Sequence, residues 1–115
     1  MDQRVRAVIA FMDINLDRKF TPTEIAQSVC LSAAHLRELF KEETGTSLAR
    51  YRRELRLERA KHLLETTFLS VKEAAARVGI NGVSHFVRDF EKKYGTTPRR
   101  YAARYRGTGL STTTR

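Results

Sequence analysis

The N-terminal stretch has the spacing of an amphipathic helix. Over residues 4 to 16 the apolar positions lie three or four residues apart, and they are Val5, Val8, Ile9, Met12 and Leu16. This period places them on one face of a helix, which then has to pack against another element. The sequence lacks runs of alternating Val, Ile and Thr bounded by turn residues, which would mark strands. The pattern predicts an all-α fold.

Two short helices with their own start and stop residues follow. Thr21 to Glu24 form a predicted capping box, with Pro22 at the first helical position, where its missing N–H does no harm. Ser32 is a predicted N-cap for the next helix, and Gly45 is predicted to end it. Two short helices separated by three or four residues are typical of a helix-turn-helix, whose second helix enters the major groove of DNA.

The same unit occurs a second time along the chain. The residues that recur 49 positions later are Glu24, Ala26 and Val29. Those that recur 50 positions later are His35, Phe40, Gly45, Thr46, Arg50 and Tyr51. The second copy begins with another predicted capping box, Ser70 to Glu73, has a turn at Gly79, Asn81 and Gly82, and continues with a predicted helix over residues 83 to 93. Pro98 then begins a final short helix, so the repeat predicts two helix-turn-helix motifs.

A long helix is predicted between the two copies. Residues 48 to 65 contain neither Gly nor Pro, and their apolar contacts are Leu48, Tyr51, Leu55, Leu63 and Leu64. About 18 residues at roughly 1.5 Å each span roughly 27 Å, whereas major grooves on one face of DNA repeat about every 34 Å. We expect about seven helices in all. The predicted domain covers residues 4–104, divided into a first subdomain (4–46), a linker helix (47–65) and a second subdomain (66–104), and residues 105–115 are expected to be a disordered tail.

Charge is concentrated in the C-terminal part of the chain. The formal net charge is +9, and residues 50 to 115 carry 16 Lys and Arg against 6 Asp and Glu. Such an excess favours a polyanionic partner, either nucleic acid or an anionic membrane, although a merely soluble protein can also carry it. Cys30 is the only cysteine, which rules out an intrachain disulfide and fits a reducing compartment. Since no segment has the pattern of a membrane span or a signal peptide, we expect a cytoplasmic protein.

With both copies in view, the sequence resembles the DNA-binding domain of the AraC/XylS family of bacterial transcription regulators over about residues 4–104. The most specific stretch is Leu63 and Leu64, Leu69 to Val71, Val78 to Ile80, Ser84 to Phe86, Arg88, Phe90, Lys92, Lys93, Gly95, Thr97, Pro98 and Tyr101. Three residues depart from the family pattern and affect packing: Cys30 replaces a small residue, Ile80 an aromatic one, and Arg52 an apolar one. The resemblance is to small stand-alone members, and it implies no effector pocket and no cofactor.

The resemblance implies that outward positions near the start of each second helix contact bases. In the first copy these are Ala33, Ala34, Arg37 and Glu38, and in the second they are Val83, Ser84, Val87 and Arg88. An arginine can donate two hydrogen bonds to guanine, an alanine can contact a thymine methyl group, and a glutamate can accept from cytosine. Alternatively, the first set is a solvated face with Arg37 paired locally, and Val83 and Val87 belong to the edge of the core.

Phosphate contacts are expected from basic residues that carry no sequence information. The candidates are Lys41, Lys92, Arg99 and Arg100. His35 and His85 recur, but neither has a second ligand at the spacing of a metal site, so we expect no metal there. Cys30 and His35 lack an orienting group for nucleophilic catalysis, and we expect no enzyme activity.

These residues favour a sequence-specific transcription regulator that binds double-stranded DNA as a monomer. Because activation is more usual in the family, we expect an activator that inserts two recognition helices into adjacent major grooves of an asymmetric site. The alternative is a protein-interaction module that has kept the fold, for example one that docks on RNA polymerase.

Overall fold

The computed structural model describes the backbone of residues 1–113 and the side chains of residues 1–106. Within that part of the chain it contains seven α-helices and no strand, which confirms the all-α prediction. The helices are α1 (Gln3–Ile14), α2 (Pro22–Ser28), α3 (Ala33–Thr44), α4 (Leu48–Thr66), α5 (Val71–Arg77), α6 (Val83–Tyr94) and α7 (Pro98–Thr113).

Side-chain caps begin the helices where the sequence predicts them. Thr21 Oγ1 and Ser32 Oγ each accept a hydrogen bond from the backbone N–H three residues later, at 3.1 Å in both cases. At the start of α5 the predicted capping box is complete: Ser70 Oγ accepts from the N–H of Glu73 at 3.1 Å, and Glu73 Oε1 accepts from the N–H of Ser70 at 2.8 Å. Such caps satisfy backbone groups that a helix leaves unpaired at its first turn.

The first compact unit comprises Met1–Leu55 and has its own core. Its buried side chains come from α1, α2, α3 and the start of α4, and they are Val5, Val8, Met12, Ile25, Ala26, Leu36, Phe40 and Leu48. Four residues of the predicted stripe are thus buried and Ile9 is partly buried, although α1 ends at Ile14 and Leu16 follows it. Ala26 is fully buried on α2, which is the helix that packs on α3, and there a larger side chain would force the helices apart.

The second compact unit begins at Arg56. Its buried side chains are Leu57, Ala60, Leu64, Ala74, Ala75, Val78, Phe86, Phe90, Pro98 and Ala102. Aromatic rings meet edge to face in this core, with centroids 5.7 Å apart for Phe86 and Phe90 and 5.8 Å apart for Phe90 and Tyr101. The Tyr101 hydroxyl donates to Glu65, whose carboxylate also pairs with Lys61 Nζ at 3.1 Å. These two donors lower the pKa of Glu65.

One feature of the fold differs from its prediction. The last helix is not short, because α7 continues from Pro98 to Thr113. The contacts divide the chain within α4, after Leu55, and the predicted division into two subdomains joined by a linker helix stays a prediction. Of the tail predicted over residues 105–115, the backbone up to Thr113 belongs to α7 and the last two residues lie outside the described part, so its disorder stays a prediction.

Candidate nucleic-acid interface

The turn between the two helices begins with the same hydrogen bond in both motifs, although the second turn is one residue longer. In the first, the N–H of Leu31 donates to the carbonyl of Ala26 at 2.9 Å, and in the second the N–H of Ile80 donates to the carbonyl of Ala75, also at 2.9 Å. The first turn contains one residue with positive φ, Cys30 (61°), and the second contains two, Gly79 at the corresponding position (83°) and Gly82 just before α6 (92°). This bond pattern with a left-handed residue is the usual way to end a helix before a change of direction.

Helix α3 presents an open polar face. Leu36 and Phe40 are fully buried, so the positions on the opposite side of the helix point outward. Of the predicted base-contacting residues, Ala34, Arg37 and Glu38 are exposed, and Ala33 is half-buried at the flank. Lys41, predicted to contact phosphate, is exposed one turn beyond Arg37.

The Arg37 guanidinium is free of local partners. The described part of the chain gives it no hydrogen bond and no ion pair. The structure therefore does not show the alternative in which Arg37 pairs with a neighbouring residue. An exposed, unpaired guanidinium keeps all its donors for a ligand.

Helix α6 presents the corresponding face with different chemistry. Ser84 and Arg88 are exposed, Val83 is 37% exposed, and Val87 is half-buried, as a residue at the edge of the core would be. At positions 50 residues apart, the pairs from the two motifs are Ala34 and Ser84, Arg37 and Val87, Glu38 and Arg88, and Lys41 and Glu91. Where α3 carries a charged residue, α6 therefore carries either an uncharged residue or one of opposite charge.

The remaining phosphate candidates lie on the surface of the second unit. Lys92 is exposed in the last turn of α6, and Arg99 and Arg100 are exposed in the first turn of α7. The backbone N–H of Arg100 donates to Thr97 Oγ1 at 3.2 Å. His35 and His85 are exposed, and no cluster of three His, Cys, Asp or Glu that could hold a metal ion occurs among the residues described.

The sequence analysis identified Arg52 only as a departure from the family pattern that affects packing. Its guanidinium carbon lies 4.0 Å from the ring centroid of Phe20, and its Nη2 donates to the carbonyl of Arg18 at 2.6 Å. The side chain is half-buried, and burial lowers the pKa of Arg52 from its ordinary value. The only signal in the sequence was a cation where the family has an apolar residue, and it did not identify these partners.

Comparison with known proteins places both motifs in one family. A family model described as a helix-turn-helix domain matches residues 25–104. The arabinose operon regulatory protein of Escherichia coli K12 is 35% identical over 104 residues, which are 90% of this chain and 36% of that protein. The chain thus spans about a third of the length of the curated relatives it matches.

Two solved structures have the same fold. The DNA-binding domain of AdpA, solved in complex with a target DNA, has a TM-score of 0.85 at 26% identity and covers 93% of this chain and 96% of that one. The xylose-binding transcription activator xylR has a TM-score of 0.80 at 27% identity and covers 89% of this chain and 27% of that one.

The two motifs and their exposed second helices define this chain as a double helix-turn-helix domain. Because the family model covers more than half of it, and the relatives extend over most of it, the chain belongs to the AraC/XylS family. Members of that family are DNA-binding transcription regulators. In the part of the chain that is described, none of the helices combines the length and apolar character needed to cross a membrane.

Proposed function

We propose that the chain is a sequence-specific DNA-binding regulator that inserts α3 and α6 into adjacent major grooves of one duplex. The observation that carries this proposal is the unpaired Arg37 on the open face of α3. A guanidinium presented in this way can donate two hydrogen bonds to O6 and N7 of guanine. The Ala34 methyl group suits thymine, Glu38 can accept from cytosine N4, and Arg88 is the guanine-contacting candidate on α6.

The target site is asymmetric in this proposal. The positions of α6 that correspond to the charged residues of α3 are occupied by different residues, so the two helices would prefer different bases. A monomer then contacts both half-sites, and neither a palindrome nor a second copy of the chain is required. Lys41, Lys92, Arg99 and Arg100 would fix the register through phosphates.

We further propose that the regulator activates transcription. Support comes from the structural relative described as a transcription activator, and from the prevalence of activation in the family. Whether a given site activates or represses depends on its place relative to the promoter.

The experiment begins with selection of bound sequences from a random duplex library, followed by fluorescence anisotropy on the selected site. We expect Arg37→Ala and Arg88→Ala each to cost about 1 to 3 kcal/mol of binding free energy and to relax specificity at one base pair. Arg6→Ala is the matched control, because Arg6 is an exposed arginine on α1, a helix that belongs to neither helix-turn-helix motif. If neither arginine variant changed the base preference, the assignment of base-contacting residues would be wrong.

A protein-interaction module is the second candidate, for example one that docks on RNA polymerase. The observation in its favour is that Ala33, Ala34, Val83 and Val87 have side chains without hydrogen-bonding groups. Salt dependence separates the two functions. A DNA binder that makes about six phosphate contacts loses roughly 10³-fold in affinity between about 50 and 200 mM salt, whereas an apolar protein contact would be nearly insensitive to salt.

A further inference from the structure

The first unit carries a groove beside the candidate DNA-binding face. Its volume is about 440 Å³, within the range of roughly 300 to 1,000 Å³ in which small-molecule sites occur. The floor is apolar and includes the buried side chains of Met12, Ile25 and Leu48 and the half-buried ring of Phe20. Such a floor favours an apolar molecule over bulk water.

The charged residues that line this groove are all cations, namely Arg37, Lys41 and Arg52. Arg37 and Lys41 make no ion pair with the described residues. Arg52 is half-buried next to Phe20, and its Nε is buried without a hydrogen-bond acceptor. Because the positively charged side chain of Arg52 lines the groove together with Arg37 and Lys41, an anion in the groove would be stabilised there.

In the second unit, one arginine that lines the corresponding groove has hydrogen-bond acceptors for its guanidinium. A groove at corresponding positions is lined by Leu69, Val71, Arg99, Ala102 and Arg106. Alanine stands at position 102, which corresponds to Arg52, and the guanidinium comes instead from position 106. That guanidinium has acceptors at both ends, since Nε donates to the carbonyl of Leu64 at 3.2 Å and Nη2 to that of Leu69 at 2.6 Å. Of the two grooves, the first thus combines an apolar floor with a guanidinium whose Nε lacks an acceptor, while its Nη2 donates to the carbonyl of Arg18.

We propose that the groove of the first unit binds a small molecule with an apolar body and a carboxylate group. The body lies against Met12, Ile25 and Leu48, and the carboxylate accepts hydrogen bonds from Arg52 and Arg37. Charge-assisted hydrogen bonds between a guanidinium and a carboxylate are among the stronger hydrogen-bonded contacts in proteins. The family resemblance implied no effector pocket, and this proposal revises that expectation from the geometry.

One consequence rests on the proposed function. Arg37 belongs both to the rim of the groove and to the open face of α3. A carboxylate bound to Arg37 withdraws its donors from a guanine. The occupant therefore weakens DNA binding, and DNA weakens binding of the occupant by the same factor.

The test uses 1-naphthoate as the probe and the neutral 1-naphthamide as its matched control, titrated into the full chain without DNA. Changes in the NMR chemical shifts of the backbone N–H groups would locate the site and give the affinities of the chain for naphthoate and for naphthamide. We expect shifts around Met12, Ile25 and Leu48, and an affinity for the carboxylate about tenfold or more above that for the amide. Arg37→Gln should weaken naphthoate binding several-fold, and Ala49→Phe, which fills the groove from an exposed lining position, should abolish it.

Arg50→Gln is the control variant, because Arg50 is exposed next to this position, is not part of the lining and pairs with Glu54. The proposal is overturned if the amide binds as tightly as the carboxylate, if the shifts fall in the second unit, or if Ala49→Phe leaves the affinity unchanged. A final titration adds the selected duplex. Naphthoate bound in the groove of a chain with no DNA affinity would support the site and overturn the proposed function, whereas DNA binding indifferent to bound naphthoate would overturn the coupling alone.

Discussion

Cys30 occupies the turn of the first motif with a φ of 61°, a conformation that L side chains rarely adopt. In the second motif the corresponding residue is Gly79, which takes this conformation without steric strain. The left-handed region costs an ordinary residue roughly 1 to 2 kcal/mol. The exposed side chain of Cys30 contributes little packing to offset this.

We therefore expect Cys30→Gly to raise the free energy of unfolding by about 0.5 to 1 kcal/mol, as measured by urea denaturation. The gain is smaller than the strain because glycine makes the unfolded chain more flexible. Gly79→Ala is the reciprocal change and should lower the free energy of unfolding by about 1 kcal/mol or more. A stability loss in Cys30→Gly would show that the thiol makes a contribution that its exposure does not suggest.

Residues whose role depends on neighbours in sequence were predictable, and those that depend on distant partners were not. Ser32 and Gly45 follow local rules for beginning and ending a helix, and the structure confirms both. Arg52 bonds a carbonyl 34 residues earlier in the chain, and no local pattern indicates that contact. The residues on the outward face of α3 could be predicted from the helical spacing of its apolar residues. That Arg37 has no partner could be learned only from the packed structure.

At the scale of a single element, the start of α5 depends on the reciprocal bonds between Ser70 and Glu73. We expect Ser70→Ala to lower the free energy of unfolding by about 1 kcal/mol, because the N–H of Glu73 loses its acceptor. Ser84→Ala is the matched control, since Ser84 is exposed on α6 and caps no helix. Equal losses in the two variants would contradict the capping role.

The same cap makes stability depend on pH. The backbone N–H of Ser70 lowers the pKa of Glu73 below its ordinary value of 4.5. A carboxyl whose pKa is depressed in the folded state stabilises the fold above pH 4.5, and this contribution disappears as the pH falls through the folded pKa. We expect the stability advantage of the wild type over Glu73→Gln to shrink between about pH 7 and about pH 3. Chemical denaturation at both pH values measures it, and a constant difference would contradict the shift.

Helix ends were predicted unevenly. Pro98 marks the start of α7 correctly, because proline favours the first helical position. Its end was not foreseen, since a short final helix was expected, whereas α7 continues to Thr113. The division of α4 between two cores was equally hidden, because an uninterrupted helical pattern does not show which residues pack in which core.

For the whole molecule, the length of α4 gives a prediction about the DNA. Its 19 residues at about 1.5 Å each span roughly 28 Å, less than the groove repeat of about 34 Å. If both motifs engage one face of a duplex, as proposed, the DNA should bend to bring the grooves closer. A FRET or gel bend assay on the selected site would measure this. Straight DNA with both grooves protected would rule the bend out.

Charge is divided unequally between the two compact units. Up to Leu55 the chain has 9 Lys and Arg against 8 Asp and Glu, whereas from Arg56 onward it has 13 against 5. Attraction to phosphates acts on any sequence and sets how fast a protein reaches DNA. While the protein searches along DNA for its target site, the basic C-terminal half would therefore bind DNA of any sequence. The nearly neutral N-terminal half would bind firmly only where the base sequence matches.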